Sequence, residues 1–370
     1  MKILFVLEHF YPYIGGAEKL FYVLTTALAK NGYKVVVVTT RFEKELSKEE
    51  VHKGVHIIRL NCWNRYAFTL FSLPKILQHA QDAHLIHTTT YNAALPAIIA
   101  GKIRQKPVFV TFHEVWGELW KRLPFTSFLQ KYSYYFFEKL LLHLPFYRYI
   151  AVSDFTAKAL QQNGISSDKI VRIYNGLEYN AFHFSPTAST ATFTYTYFGR
   201  LGISKGLDLL IPAAAEFRKL FPNTTLKLIL PKKPKAFFDK IMRLVKEYEL
   251  EDYIDFKHNL LKEDLYQELL QSSCVVISSY SEGFCFAAAE AVALEVPIVS
   301  SHQGALPEVV SGKFVVMEKM TITALVAALE EAYHENWQHK PIRYFPLKET
   351  VEAYQNLYKL SFNNSIHTFF

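Results

Sequence analysis

The chain has 370 residues, 50% hydrophobic and 20% charged, which excludes a disordered chain and, at roughly 150 residues per domain, predicts two domains. Lys and Arg outnumber Asp and Glu by 41 to 34, a formal charge of +7 that favours anionic partners such as nucleotide phosphates or an acidic membrane surface. Three scattered cysteines, Cys62, Cys274 and Cys285, exclude a disulfide framework and a Cys-rich zinc site, and they fit a reducing compartment.

The chain opens on Ile3 to Leu7, a continuous apolar run of the kind found in a strand covered on both faces. That run is too short for a signal peptide, and no apolar run approaches the roughly 18 residues of a membrane span. The expected location is therefore cytoplasmic. Pro12, Gly15 and Gly16 mark a loop, and Ala17 to Lys30 carries apolar residues at helical spacing up to the Asn31-Gly32 stop. Val35 to Thr40 is a second buried strand, which makes a βαβ unit and a parallel sheet. Short strands follow at Val55 to Leu60, Leu85 to His87, Val108 to Thr111 and Tyr149 to Val152. The Ser-, Thr- and Ala-rich stretch before Tyr195 reads as a linker over 183–194. Alternation then restarts, with strands at Tyr195 to Phe198, Thr225 to Leu230, Ile254 to Phe256, Cys274 to Ser278 and Ile298 to Ser300, and helices between them. The expected fold class is α/β, with a Rossmann-like domain over 1–182, a second over 195–345 and a terminal helix and tail over 346–370.

The loop after the first strand argues against a dinucleotide cofactor. It reads Glu8-His9-Phe10-Tyr11-Pro12-Tyr13-Ile14-Gly15-Gly16, without the Gly-x-Gly-x-x-Gly fingerprint, and the second strand ends in Thr39-Thr40 rather than an acid. A Walker loop is also absent. The Gly15-Gly16 pair at a helix start does allow close backbone approach to an anion.

The second half concentrates the chemistry. Arg200 follows a strand and Lys205-Gly206 precedes a helix, which places two cations at the carboxyl end of a sheet, where ligands of open α/β sheets bind. Glu282-Gly283-Phe284-Cys285 follows another strand. Glu290, eight positions on, lies among Ala287-Ala288-Ala289 and Ala291-Val292-Ala293. A carboxylate in so apolar a helix needs hydrogen-bond partners, and ligand hydroxyls would supply them.

These residues, in this order, resemble the family 4 retaining glycosyltransferases of the GT-B fold. The resemblance runs from Gly15-Gly16-Ala17-Glu18 through Ser153 to Lys158, Asn175-Gly176, Gly199-Arg200 and Lys205-Gly206. It continues in Glu282-Gly283-Phe284, Glu290-Ala291 and Gly304-Ala305-Leu306-Pro307-Glu308. It implies two Rossmann-like domains facing across a cleft, a terminal helix crossing back to the first, and sugar transfer from a nucleotide-sugar to an acceptor hydroxyl with retention. By the same resemblance Arg200 and Lys205 would hold the donor diphosphate, with Gly15 and Gly16 approaching it. Glu282, with the Gly283, Phe284 and Cys285 backbone, would hold the sugar, and Glu290 the ribose. His113 and Glu282 are the candidate catalytic residues. Neither a metal nor another cofactor is implied.

The chain departs from the family pattern at Pro231-Lys232-Lys233-Pro234-Lys235, where a Gly-rich turn is usual, at Cys285, where Gly is common, and at Gly304-Ala305 in place of Gly-Gly. The basic and aromatic residues between Trp116 and Tyr149 read either as a helix packed on the sheet or as a patch for anionic lipid, which would suit a glycan or lipid-linked acceptor. Peripheral contact with the inner face of the membrane is a further expectation. Nucleic acid is not an expected partner, because no recognition module is present. Two alternatives stay open on sequence: an epimerase or phosphorylase on the same fold, and a non-catalytic nucleotide-sugar-binding protein.

Overall fold

The computed structural model describes residues 1–13, 15–182 and 192–367, which fall into two units. Most of the expected linker, 183–191, lies outside the described residues.

The first unit comprises Met1–Trp120, Tyr132–Gly176 and Leu347–Phe370. Its strands are β1 (Lys2–Val6), β2 (Lys34–Thr40), β3 (Glu49–His52), β4 (Val55–Leu60), β5 (Leu85–Thr89), β6 (Val108–Phe112), β7 (Arg148–Ala151) and β8 (Ile170–Arg172). They form one sheet in the order β3-β4-β2-β1-β5-β6-β7-β8, parallel throughout except for β3 against β4. Helices α1 (Gly16–Lys30), α2 (Arg65–Phe71), α3 (Leu73–Ala80), α4 (Ala94–Arg104), α5 (Phe128–Leu142) and α6 (Asp154–Gln162) connect the strands.

Burial on both faces explains the composition of the central strands. In β1, Ile3 and Phe5 join Phe21, Leu24 and Leu28 of α1 on one face. Leu4 and Val6 join Phe68 of α2, Ile76 of α3, Ala97 of α4 and Leu141 of α5 on the other. A strand sandwiched between helix layers has no polar face to display, so its sequence is continuous rather than alternating.

The second unit comprises Lys121–Lys131 and Leu177–Pro346. Strands β9 (Phe193–Phe198), β10 (Thr224–Ile229), β11 (Ile254–Lys257), β12 (Cys274–Ile277), β13 (Ile298–Ser300), β14 (Gly312–Val316) and β15 (Gln338–Lys340) run in the order β11-β10-β9-β12-β13-β14-β15, with only β15 antiparallel. Its helices are α7 (Leu207–Leu220), α8 (Lys235–Glu247), α9 (Lys262–Leu270), α10 (Phe286–Ala293), α11 (Leu306–Val309) and α12 (Ile322–Tyr333).

The last helix, α13 (Leu347–His367), groups with the first unit, as the terminal-helix expectation required. Its Tyr354 and Tyr358 are fully buried against the layer that holds Ile3, Phe5 and Phe21. There His87 of β5 is within hydrogen-bond distance of both the Tyr358 hydroxyl and, at 2.8 Å, the Thr111 hydroxyl. Thr111 in turn lies 3.2 Å from the Tyr354 hydroxyl. Phe345 precedes this helix, and its carbonyl accepts from Leu177 N–H at 2.8 Å.

Candidate active site

Each sheet reverses its winding once. In the second unit the chain passes from β9 to β10 to β11 on one side, then returns to β12 on the other, so β9 and β12 flank the switch point. The loops that leave such neighbours diverge and open a crevice at the carboxyl end of the sheet. Every donor candidate named from sequence in this half lies on or just beyond those two loops.

Arg200 follows β9 and is exposed, while the Tyr197 hydroxyl donates to its carbonyl at 3.3 Å. Lys205 ends the same loop and, across the switch point, its Nζ lies 2.7 Å from Glu282 Oε1. Glu282 is buried, and Ser279 Oγ donates to the same oxygen at 2.6 Å. The carboxylate is thus held by an ammonium and a hydroxyl, the partners a buried charge requires. Burial first, and then the negative charge of Glu282, push the Cys285 thiol and the Tyr197 phenol upward, so both stay protonated near neutrality.

Two glycines make this approach possible. Gly206 has φ +68°, and a Cβ there would lie 1.9 Å from the Ser278 carbonyl oxygen. Gly304 has φ +66°, and its Cβ would lie 2.3 Å from the Glu282 carbonyl oxygen, which accepts the Ala305 N–H at 2.7 Å. Cys285 also adopts a left-handed backbone, φ +74°, at the N-cap of α10. That conformation explains why glycine is common in the family at this position, since glycine adopts it without strain. Gly283 and Phe284 complete the turn, with Phe284 buried and edge-on to Phe345 at 5.1 Å.

Glu290 is buried on α10 as its apolar surroundings predicted. The Tyr266 phenol of α9 is a neighbouring hydroxyl from the protein itself, and burial followed by the Glu290 charge raises the Tyr266 pKa. Phe182 stacks on Tyr266 at 4.8 Å. The sequence reading missed Ser279 and Tyr266. Ser279 could have been found from its spacing of three residues from Glu282 on a strand-end loop, whereas nothing local marks Tyr266.

In the first unit the switch point lies between β1 and β5. Buried Glu8, just after β1, accepts from Asn92 Nδ2 at 2.9 Å and from Arg65 Nη2 at 3.2 Å. His9 stacks on Tyr13 at 4.3 Å, and burial lowers its pKa. Sequence reasoning singled out none of Glu8, Asn92 and Arg65, because they are 84 positions apart at the extremes. His113 follows β6, with its ring edge-on to Phe21 at 5.9 Å. Gly15 is the N-cap of α1, and a Cβ on it would lie 2.1 Å from Glu18 Oε2. The helix start is therefore occupied by the chain's own carboxylate, which the sequence reading did not anticipate.

Within the stretch from Trp116 to Tyr149, one face of α5 packs inward, as the first of its two expected characters required. Tyr135, Glu138, Leu141 and Leu142 of α5 face inward, and the Glu138 carboxylate accepts the Trp116 and Gly117 N–H groups at 3.0 and 2.6 Å. Phe136 and Leu140 are exposed. Among the described residues no three His, Cys, Asp or Glu side chains converge as a metal site would require, and no helix is long and apolar enough to cross a membrane.

Comparison with known proteins agrees along nearly the whole chain. Residues 14–180 match the Glycosyltransferase Family 4 model and residues 179–345 the Glycosyl transferases group 1 model. One component of the human phosphatidylinositol N-acetylglucosaminyltransferase is 24% identical over 90% of this chain and 68% of its own length. A GDP-mannose:cellobiosyl-diphosphopolyprenol alpha-mannosyltransferase of Xanthomonas oryzae is 25% identical over 81% of this chain and 78% of its own. Among solved structures, sucrose-phosphate synthase from Thermosynechococcus elongatus superposes with a TM-score of 0.81 at 21% identity, covering 98% of this chain and 99% of that one. Anabaena HepE, solved in complex with UDP and glucose, gives 0.70 at 18% identity, covering 100% and 98%. Both halves of the chain carry the family's models, in its order and on its GT-B fold, and the chain belongs to the family 4 glycosyltransferases, enzymes that move a sugar from a nucleotide-sugar to an acceptor.

Proposed function

We propose that this glycosyltransferase binds its nucleotide-sugar at the β9–β12 switch point and transfers the sugar, with retention, to a hydroxyl of a lipid-linked acceptor. The carrying observation is the Lys205–Glu282 pair, 2.7 Å across that switch point, in which the carboxylate is buried and Ser279 bonds the same oxygen. A cation and a carboxylate at one crevice match the two ends of the reacting bond. As the bond from the anomeric carbon to the diphosphate breaks, negative charge grows on the diphosphate and positive charge on the sugar ring. Lys205 and the exposed Arg200 stabilise the former without a metal, and Glu282 holds sugar hydroxyls beside the latter. The acceptor oxygen bonds to the anomeric carbon on the face the diphosphate leaves, and its proton passes to the departing phosphate oxygen.

Glu290, beside Tyr266, takes the ribose hydroxyls. His113, just beyond β6 in the first unit, acts as a polarising group. A lipid-linked acceptor is supported by the names of two relatives, which specify phosphatidylinositol and a diphosphopolyprenol. The exposed Phe136 and Leu140 of α5, beside Lys139, fit peripheral contact with an anionic membrane on the cytoplasmic side.

The test is a thermal-shift panel of UDP, GDP and ADP and their sugar conjugates, run with Lys205→Ala and Glu282→Ala. One nucleotide series is expected to stabilise the wild type, and both variants to lose most of that shift. Stabilisation that survives in both variants would place the donor elsewhere.

A further inference from the structure

Helix α2 has an unusual outer face. Within nine residues, Trp63 is 76% exposed, Tyr66 59%, Leu70 71% and Phe71 58%, whereas Ala67 and Phe68 are buried beneath them. Four large apolar side chains exposed together exceed the scattered single residues of an ordinary soluble surface. Trp63 and Phe71 lie in ring contact at 5.3 Å, so the patch is continuous. Tyr and Trp beside Leu and Phe is the composition of an interfacial helix, with amphipathic rings at the headgroup level and aliphatic groups deeper.

The charge around α2 identifies the partner. Helices α2, α3 and α4 share one layer on the sheet and carry four Lys and Arg side chains, Arg65, Lys75, Lys102 and Arg104, and no acid. Arg65 is committed to Glu8, whereas Lys102 and Arg104 are exposed. The helices beside the apolar face are thus basic, with no carboxylate of their own to repel an anionic surface. Helix α2 also shares its helix layer with α5, since Phe68 and Leu141 pack on the same side of the sheet. Its first residue, Arg65, reaches Glu8 and, through it, Asn92 at the carboxyl edge between β1 and β5.

We infer that α2 is a membrane-seating helix, its Tyr66, Leu70 and Phe71, together with Trp63 just before it, resting in an anionic lipid surface. The inference deepens the lipid-linked acceptor reading and rests on it. The Arg65–Glu8–Asn92 chain fixes the seated helix to the edge of the sheet, so the surface that carries the acceptor lies beside the first unit's switch point.

The experiment uses the full chain with vesicles of phosphatidylglycerol and phosphatidylcholine in equal parts, and with phosphatidylcholine alone. The wild type is expected to co-sediment with the anionic vesicles only, at low salt. Brominated acyl chains are expected to quench its tryptophan emission, and Trp63→Phe to lose most of that quenching. The pair Leu70→Ser/Phe71→Ser, both exposed and tolerant of change, should weaken binding at least about fivefold while leaving nucleotide thermal shifts intact. Vesicle binding unchanged in that double variant, or quenching unchanged in Trp63→Phe, overturns the inference. So does a wild-type dimer by light scattering that the double variant turns into a monomer, since the face would then cover a second copy. Loss of nucleotide shifts in the wild type would sink the donor reading but leave the vesicle result standing, so the two failures are distinguishable.

Discussion

Lys205 makes the burial of Glu282 tolerable, so single substitutions have unequal costs. Lys205→Met leaves a buried carboxylate with only the Ser279 hydroxyl, and leaving a buried charge unpaired costs up to about 3–5 kcal/mol. Glu282→Gln keeps the shape and a hydrogen-bond acceptor for Lys205, and costs less. In the double variant the orphaned charge is gone, so it should be more stable than Lys205→Met alone, with a coupling of about 1–3 kcal/mol in urea unfolding. Turnover should follow a different order. On the proposed roles, all three variants would lose the leaving-group cation or the sugar contact, and kcat should fall by about two to three powers of ten in each. Stability restored without turnover would separate the two roles of the pair. Gly304→Ala acts through the backbone instead. Its Cβ would meet Glu282 backbone at 2.3 Å in a left-handed conformation, so donor affinity should collapse although no charged contact is removed. A Gly304→Ala enzyme with wild-type KM for donor would show that this loop gives way easily.

At the scale of elements, the C-terminal helix is pinned by an uncharged network. His87 is fully buried between Thr111 and Tyr358, and burial lowers its pKa to about 3. The unfolded chain takes up this proton near pH 6.5, whereas the folded chain does not until about pH 3. Below 6.5 the unfolded state therefore binds more protons, and stability falls as pH falls from 6.5 towards 3, by roughly 1 kcal/mol per pH unit from this residue. Burial also lowers the pKa of His9, His79, His84 and His302, so they contribute in the same direction. Urea midpoints at pH 7.5, 6.5 and 5.5 should decline only over the second interval, above the range where carboxylates titrate. His87→Gln should reduce that slope, and an unchanged slope would remove His87 as its source. The sequence shows little of this network. His87 falls at the end of a correctly expected strand, but its partners lie 24 and 271 positions away. Strands β1 and β2 were legible because burial on both faces writes a continuous apolar run. Strands β3 and β15 were not, since edge strands with a solvated side, Glu-Glu-Val-His and Gln-His-Lys, carry no such run. The loops after β9 and β12 were legible because Arg200 and Glu282 follow recognisable apolar strands. The Glu8–Asn92–Arg65 cluster was not, because a switch point joins residues that only the strand order brings together.

For the molecule as a whole, the division of the chain sets how it should unfold. The first unit is assembled from three segments, Met1–Trp120, Tyr132–Gly176 and Leu347–Phe370, and it depends on the last of them to cover Ile3, Phe5 and Phe21. Each unit has its own buried clusters, those of the second unit centring on Tyr195, Phe217 and Leu228. Units with separate cores melt as separate transitions unless a ligand couples them. On the proposed site a nucleotide-sugar would contact Arg200, Lys205, Glu282 and Glu290, all of the second unit, so it should raise that unit's transition first. At a concentration about 100 times Kd the stabilisation is about 2.7 kcal/mol, and for a unit of this size that moves Tm upward by about 5–10 °C. Calorimetry of the full chain with donor should therefore show one transition displaced and another nearly stationary. Removing residues 347–370 should act on the other transition. Without Tyr354 and Tyr358, the His87 and Thr111 side chains lose their tyrosine partners and an apolar face is exposed, so the first unit should melt early or fail to fold while nucleotide still protects the second. A truncated chain that keeps both transitions would show that the helix is dispensable for the fold. One that loses both would show that the second unit cannot stand without the first, and the nucleotide shift would then report on the whole chain.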